Sequence, residues 1–305
     1  MADKKFDPKK FIDREFEAEL FENLLKLNDE KRILTIQDVG GMGKTQLLQK
    51  LEYRCSTVKP RTPVSFVDLE ALNPTTLVMR ITEDLKKFGL EFPNFKKHDA
   101  ARTGGDFSVF LSSVHLQGSD LKGASDVRAA GYMVNIDQHS GPLNITGGGV
   151  GKLLPDQEEK AQEVCIEVFF DELEEHCENR PIILLFDRYE RAGNELIAWL
   201  AGDLFPLRFF DFNKRPKKLI LVLAGREIPD FTKDWPQEDV DAVVESVKEL
   251  SKWKKEHVEE CLRIHGFKYE RKDLDAFYHL IKSGLPPSEV VRSIELIMEK
   301  RRAET

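Results

Sequence analysis

Residues 38–48 read DVGGMGKTQLL. Gly40, Gly41 and Gly43 let the chain curl closely, so that main-chain N–H groups converge on anionic oxygens. Lys44 then reaches outer phosphate oxygens, and the hydroxyl of Thr45 is a hard ligand suited to Mg2+. Met42 and Gln46 complete the loop and its exit. Asp38 stands where this pattern has its first glycine. A carboxylate there would weaken anion binding if it pointed inward, but the first position ends a strand and its side chain need not face the loop.

A second group of reactive residues follows a strand. In IILLFDRYE an apolar run delivers Asp187 at its end, with Glu190 three residues on. Sheets of this kind present a carboxylate to Mg2+ in this way, and a nearby glutamate can orient or deprotonate an attacking water. A third site, TGGGVGKLL at 146–154, has glycines and Lys152 in similar order. Its hydroxyl position is Leu153 and Pro155 follows in place of a helix, so it reads as a flexible corner.

These residues need a scaffold that brings strand ends together. RILTIQDV is a short buried strand feeding the loop, and TQLLQKLEYRC leaves it as a helix with Leu47, Leu48 and Leu51 on one face. TPVSFVDLE is a second strand. NPTTLVMRITEDLKKFG is a helix with Asn73 as N-cap, Pro74 at its first position, Gly89 at its end and a stripe of Leu77, Ile81, Leu85 and Phe88. RPIILLFD, KKLILVLAGR and DAVVESVKEL carry three more strands, with helices DQEEKAQEVCIEVFFDELEEHC and NELIAWLAGDLFPL between. Ahead of all this, FIDREFEAELFENLLKLN reads as a leading segment and a helix striped by Phe16, Leu20 and Leu24. Helices are expected over about 251–265, 271–282 and 287–302. Alternating strands and helices followed by helices imply a covered parallel sheet with a small helical domain.

Residues from about 93 to 156 break this rhythm. They are rich in Gly, Ser, Asp and Asn, show no sustained helical period, and read as an insertion. YMVNID and LNIT could pair as a small hairpin across QHSGP. Small polar residues suit a loop that contacts a protein partner.

The whole-chain balance excludes several classes. The 305 residues are 41 % hydrophobic and 33 % charged, with a net charge of −8, which fits a soluble globular protein and argues against broad nucleic-acid binding. Cys55, Cys165, Cys177 and Cys261 are too scattered for a metal knuckle and read as reduced thiols. No run approaches the roughly 18 apolar residues needed to cross a bilayer. MADKKFDPKK has no signal-peptide core, so a cytoplasmic location is expected and the Asn144–Thr146 sequon is coincidental.

With these segments in view, the chain resembles the STAND class of P-loop NTPases, signal-transduction ATPases that include the apoptotic and plant-resistance ATPases. VGGMGKTQLL resembles Walker A and LLFDRYE resembles Walker B. FIDREFEAEL is similar to the leading motif that packs near adenine. LVLAGR resembles the sensor strand, and SGLPPSEV the glycine-x-proline motif of the helical subdomain. The resemblance implies an α/β P-loop NTPase fold with a five-stranded, mainly parallel sheet of order 5-1-4-3-2, followed by a helical subdomain. It implies a nucleotide-binding domain over 1–250, interrupted by the insertion, and a helical lid over 251–305.

The resemblance also implies roles. Gly40, Gly41, Met42, Gly43, Lys44, Thr45 and Gln46 would bind ATP or ADP, with Thr45 and Asp187 holding Mg2+. Arg226 would contact the γ-phosphate, Ile12 and Arg14 would lie by the base, and Pro286 would cover adenine. Asp187, Glu190 and Arg226 would carry catalysis. Arg188 departs from the family, occupying the position where many relatives have a second acid. The implied function is an ATP/ADP switch with slow hydrolysis that self-associates in its ATP state. A nucleotide-binding scaffold without turnover, favoured by Arg188 and Asp38, and a DNA-acting AAA+-type ATPase are the alternatives. No membrane partner is expected, and the acidic balance and lack of a helix-turn-helix count against nucleic acid.

Overall fold

Five short runs of aliphatic residues become the five strands of one parallel sheet in a computed structural model, which describes residues 6–104, 128–129, 132–133, 155–213 and 215–303. The strands are β1 (Ile33–Gln37), β2 (Val64–Asp68), β3 (Ile182–Asp187), β4 (Leu219–Gly225) and β5 (Val244–Val247). Every residue of β3 and β4 is buried, as expected for strands covered on both faces. The order is β2-β3-β4-β1-β5 and every pairing is parallel. This is the 5-1-4-3-2 order of the α/β P-loop NTPase fold.

That order decides where chemistry can occur. β3, β4 and β1 are adjacent, so their C-terminal ends deliver Asp187, Arg226 and the glycine loop to one edge of the sheet. Helix α1 (Glu15–Leu25) precedes β1, α2 (Lys44–Thr57) follows the loop, and α3 (Pro74–Lys86) follows β2. Leu47, Leu48 and Leu51 of α2 pack with Leu34 and Ile36 of β1 in one core. Asn73 caps α3 by accepting from Thr76 N at 2.9 Å, with Thr76 Oγ1 returning the bond to Asn73 N.

The stripe expected on α1 is partly wrong. Phe16 is exposed, whereas Glu17, Phe21 and Leu24 are buried. Hydrophobic periodicity could not anticipate a buried glutamate, whose partner lies far along the chain.

The chain divides into two compact units, residues 1–90 with 176–305, and residues 91–175. In the second unit, α4 (Pro93–Gly104) occupies the start of the segment that shows no helical period, with Phe95, His98 and Ala101 buried. Its N-terminal N–H groups at Asn94 and Phe95 donate to the Glu172 carboxylate, each at 2.9 Å. Glu172 lies on α5 (Pro155–Asn179), which also brings Phe169 against Phe92 and Phe95. A two-residue-per-strand hairpin pairs Arg128–Ala129 with Tyr132–Met133. Only Tyr132–Met133 falls within the expected strands; LNIT, the sequon and the 146–154 glycine run lie outside the described residues.

In the first unit α6 (Asn194–Trp199) continues as π-helical turns through Phe210. Pro206, which has no N–H and crowds the preceding turn, interrupts regular helix there. Helix α7 (Gln237–Val243) leads directly into β5. Beyond it α8 (Lys255–Ile264), α9 (Arg271–Lys282) and α10 (Pro287–Ala303) share a separate core with Trp253, Phe267 and Phe277. Ile12 of the leading segment belongs to this core. All four cysteines are buried, and none of them forms a disulfide. Among the described residues no helix is long and apolar enough to cross a membrane.

Candidate functional site

A cavity of about 480 Å³ opens where the sheet edge meets the first turns of α10. Gly40 through Gln46 line one side. Asp187, Glu190 and Arg226 line the sheet side, and Ile12 and Arg14 the side of the leading segment. Pro286 stands slightly apart: it packs on Gly41, and the α10 wall is formed by Pro287, Ser288, Val291 and Glu295. The cavity also takes in Phe11, Arg188, Arg191 and Trp253, which were not among the candidate site residues.

The glycine loop is fixed by close contacts that a side chain would disrupt. Gly41 has φ +81, and a Cβ on it would lie 2.5 Å from Ser288 Oγ and 3.0 Å from Pro286 Cβ. Its carbonyl accepts from Ser288 N at 3.3 Å, so the loop and the start of α10 are in direct contact. Arg226 lies along Gly40, where an added Cβ would come within 2.9 Å of Nη2.

Lys44 sits inside the curl. Its Nζ donates to the carbonyls of Asp38 at 2.5 Å and Val39 at 2.9 Å. Partial burial draws its pKa down, against the pull of Asp38, Glu190 and Asp187 upward. The ammonium is therefore held beside the loop amides, partly desolvated, and in contact only with weak neutral acceptors. An anionic oxygen is a better partner than a carbonyl.

Asp38 does not point into this cradle. Its Oδ1 accepts from Val39 N at 2.6 Å and its Oδ2 from Leu250 N at 2.8 Å. The carboxylate thus ties the end of β1 to the chain just past β5. The next residue is held too. Ser251 N donates to Glu17 Oε1 at 3.0 Å, and Ser251 O accepts from Arg14 Nη1. Arg14 Nη2 also donates to Met42 O at 2.7 Å, and its Nη1 pairs with Asp13 at 2.9 Å. Arg14 is buried, and its guanidinium binds loop, leading segment and the start of the helical region together.

Restoring the glycine of the common pattern should therefore harm the fold. Asp38→Gly leaves the Leu250 N–H without its acceptor and loosens the backbone, at a cost of about 1–3 kcal/mol. Urea unfolding of the two chains measures this. A glycine variant as stable as the native chain would remove the clasp from the account.

Where the loop enters α2, Thr45 Oγ1 donates to Asp187 Oδ2 at 2.6 Å. Asp187 is 2 % exposed. Burial pushes its carboxyl above the usual range, only partly offset by the bonds from Thr45 and from Arg188 N. A hydroxyl and a buried carboxylate side by side form a hard-oxygen pair that fits Mg2+. Among the described residues no group of three or more His, Cys, Asp and Glu could hold a metal alone. That suits an ion whose remaining ligands are phosphate oxygens and water.

Glu190 is oriented by the strand beside it. Its Oε2 accepts from Arg226 N at 2.9 Å, and its Oε1 lies 3.6 Å from Arg226 Nε. The candidate base and the candidate sensor are thus one contact unit. Arg188, with φ 58, sends its guanidinium to Asp68 at 3.2 Å and to Glu70 at 2.5 Å.

Basic side chains outnumber acidic ones in the lining of this cavity, although the chain as a whole is acidic. Five basic side chains line it, Arg14, Lys44, Arg188, Arg191 and Arg226, against the three acids Asp187, Glu190 and Glu295. The chain as a whole carries −8. Cations gathered at a glycine loop and a helix N-terminus favour a polyanion.

No protein-family model matches the chain, and no curated protein does. Among the solved structures it is similar to two of the Aeropyrum pernix ORC2 protein, one of ADPNP–ADP complexes and one of an ADP form. Identity is 12 % in both cases, with TM-scores of 0.49 and 0.48. The likeness covers 99 % of this chain and 67 % and 66 % of those chains, so this chain spans about two thirds of their length.

Proposed function

We propose that the chain is an ATP- and ADP-binding switch with slow hydrolysis, of the STAND type. One observation carries the reading: the 2.6 Å contact between Thr45 and Asp187 in the same cavity as the Lys44 curl. It brings together, from elements 142 residues apart, the hydroxyl and carboxylate that a Mg-nucleotide site requires.

In this reading Gly40–Gly43 supply main-chain donors and Lys44 exchanges its two carbonyls for phosphate oxygens. Thr45 and Asp187 would hold Mg2+, which when bound neutralises charge across the outer phosphates. Phe11, Ile12, Trp253 and Val291 give the cavity apolar lining fit for a planar base. Arg226 reads the γ-phosphate while Glu190, held by the Arg226 N–H, orients water. Because the loop touches α10 through Gly41 and Ser288, a change at the phosphates reaches the helical region directly. Exchange of ADP for ATP would shift that region and expose a surface for self-association.

Hydrolysis kinetics would separate this from a scaffold that never cleaves nucleotide. The contact of Glu190 with Arg226 and the presence of Arg188 after Asp187 both favour slow chemistry. Glu190→Gln keeps an acceptor for Arg226 N but cannot take a proton. Single-turnover hydrolysis is expected to fall by about 100-fold while ATP binding persists. Absence of hydrolysis in the native protein establishes the scaffold, and equal measurable rates in the two proteins remove Glu190 from the chemistry. Salt-sensitive DNA binding that accelerates hydrolysis would instead make it a DNA-acting ATPase.

A further inference from the structure

Two arginines of the cavity wall, Arg188 and Arg191, share a single carboxylate that lies outside the cavity lining. Arg188 Nη1 donates to Glu70 Oε2 at 2.5 Å, and Arg191 Nη1 donates to Glu70 Oε1 at 2.7 Å. Each oxygen of Glu70 thus holds one guanidinium. Glu70 is placed for this by its own turn: it follows β2, whose last residue Asp68 accepts from Glu70 N at 3.1 Å. Asp68 stands in register with Asp187 across the sheet, so the acid loop after β2 lies directly beside the strand end that carries the arginines.

The backbone at Arg188 shows that this aim is imposed. A φ of 58 is unfavourable for a residue with a long side chain. The conformation lets Arg188 N donate to Asp187 Oδ1 at 3.0 Å and turns the side chain toward Asp68 and Glu70. Arg188 is thereby fixed at its root by the candidate Mg2+ ligand and at its tip by Glu70.

We propose that Glu70 is a latch that sets the preference of the site for triphosphate over diphosphate, by holding Arg188 and Arg191 until a γ-phosphate takes them from it. This rests on the nucleotide-binding reading. The energetics favour exchange. Glu70 and both arginines are 40–47 % exposed, and ion pairs so exposed are weak. A terminal phosphate offers more charge and three acceptor oxygens, which match the planar donor fork of arginine. A diphosphate ends one group short and leaves the arginines on Glu70. The latch accounts for the second acid missing after Asp187: its place holds a cation whose counter-charge comes from β2's loop.

The test compares affinities for Mg-ADP and for a magnesium-bound non-hydrolysable ATP analogue by calorimetry, at fixed salt. Glu70→Gln keeps shape and removes charge, and is expected to raise the triphosphate-to-diphosphate affinity ratio about five-fold, as for loss of a competing exposed ion pair. Arg188→Gln and Arg191→Gln should each lower the ratio by a similar factor. ADP affinity should stay within about two-fold in Glu70→Gln, because that carboxylate lies outside the cavity lining. A ratio indifferent to Glu70→Gln, or both affinities moving together, overturns the latch while leaving nucleotide binding intact. A native chain that binds neither ligand overturns both.

Discussion

Lys44→Ala should abolish nucleotide-dependent stabilisation while leaving the ligand-free protein nearly unchanged. The two halves of that expectation rest on different contacts. Without ligand, Lys44 Nζ serves only the carbonyls of Asp38 and Val39. Val39 is 65 % exposed, so water can replace one of those bonds, and partial burial of the ammonium is itself unfavourable. Its removal should change stability by less than about 1 kcal/mol.

With ligand the balance reverses. Mg-ATP at about 100 times its dissociation constant stabilises a one-site protein by roughly 2.7 kcal/mol. In a chain of this size that is a rise of about 4 °C in melting temperature. Lys44 is the basic residue placed inside the main-chain curl, and without it the curl keeps its amides but loses the cation that its two carbonyls hold there. The measurement is thermal unfolding of native and Lys44→Ala protein with Mg-ATP, Mg-ADP and Mg-GTP. ATP and ADP should shift the native chain and neither should shift the variant. An alanine variant that keeps the full shift would remove the glycine loop from the site.

The parts of this architecture that could be read from the residues share one property: their signal is local. β3 and β4 are continuous apolar runs, and α3 announces its start with Asn73 and Pro74. The five strands followed by helices were therefore legible, and with the loop and the acid at the end of β3 their resemblance to P-loop NTPases supplied the order 5-1-4-3-2. What could not be read depends on pairing at a distance. Glu17 is buried because Ser251, 234 residues away, donates to it. Helix α4 was hidden because its buried face is only Phe95, His98 and Ala101, and its N-terminal acceptor, Glu172, lies more than 70 residues on. The direction of Asp38 follows from the Leu250 N–H, which no local pattern reveals. The latch is of the same kind, joining Glu70 to Arg188 across 118 residues. The α10 wall had a weak signal in hindsight, since Ser288, Val291 and Glu295 repeat at helical spacing on one face.

Asp187→Asn is expected to act in opposite directions on stability and on ligand binding. In the folded chain burial raises the Asp187 carboxyl pKa above its ordinary value, with the hydroxyl of Thr45 and the N–H of Arg188 compensating in part. A raised folded-state pKa contributes stability that is fully present below the unfolded value and lost as pH rises through the folded one. At neutral pH the charged, buried acid is therefore a burden on the fold. Asparagine has the same shape, can accept from Arg188 N, can donate to Thr45 Oγ1, and carries no charge. The variant should be more stable at pH 7 by about 1 kcal/mol, the usual gain when a functional group is removed from an unfavourable site. That advantage should shrink as pH falls through the raised folded-state value and vanish below the ordinary carboxylate value, where the native acid is protonated in both states. Binding should move the other way: without the negative oxygen beside Thr45, the magnesium-dependent part of nucleotide stabilisation should be lost. Melting curves at pH 7 and at acid pH, with and without Mg-ATP, give all of these quantities from two proteins. A variant destabilised at neutral pH would show that the Asp187 charge supports the fold, and it would transfer the Thr45 contact from function to structure.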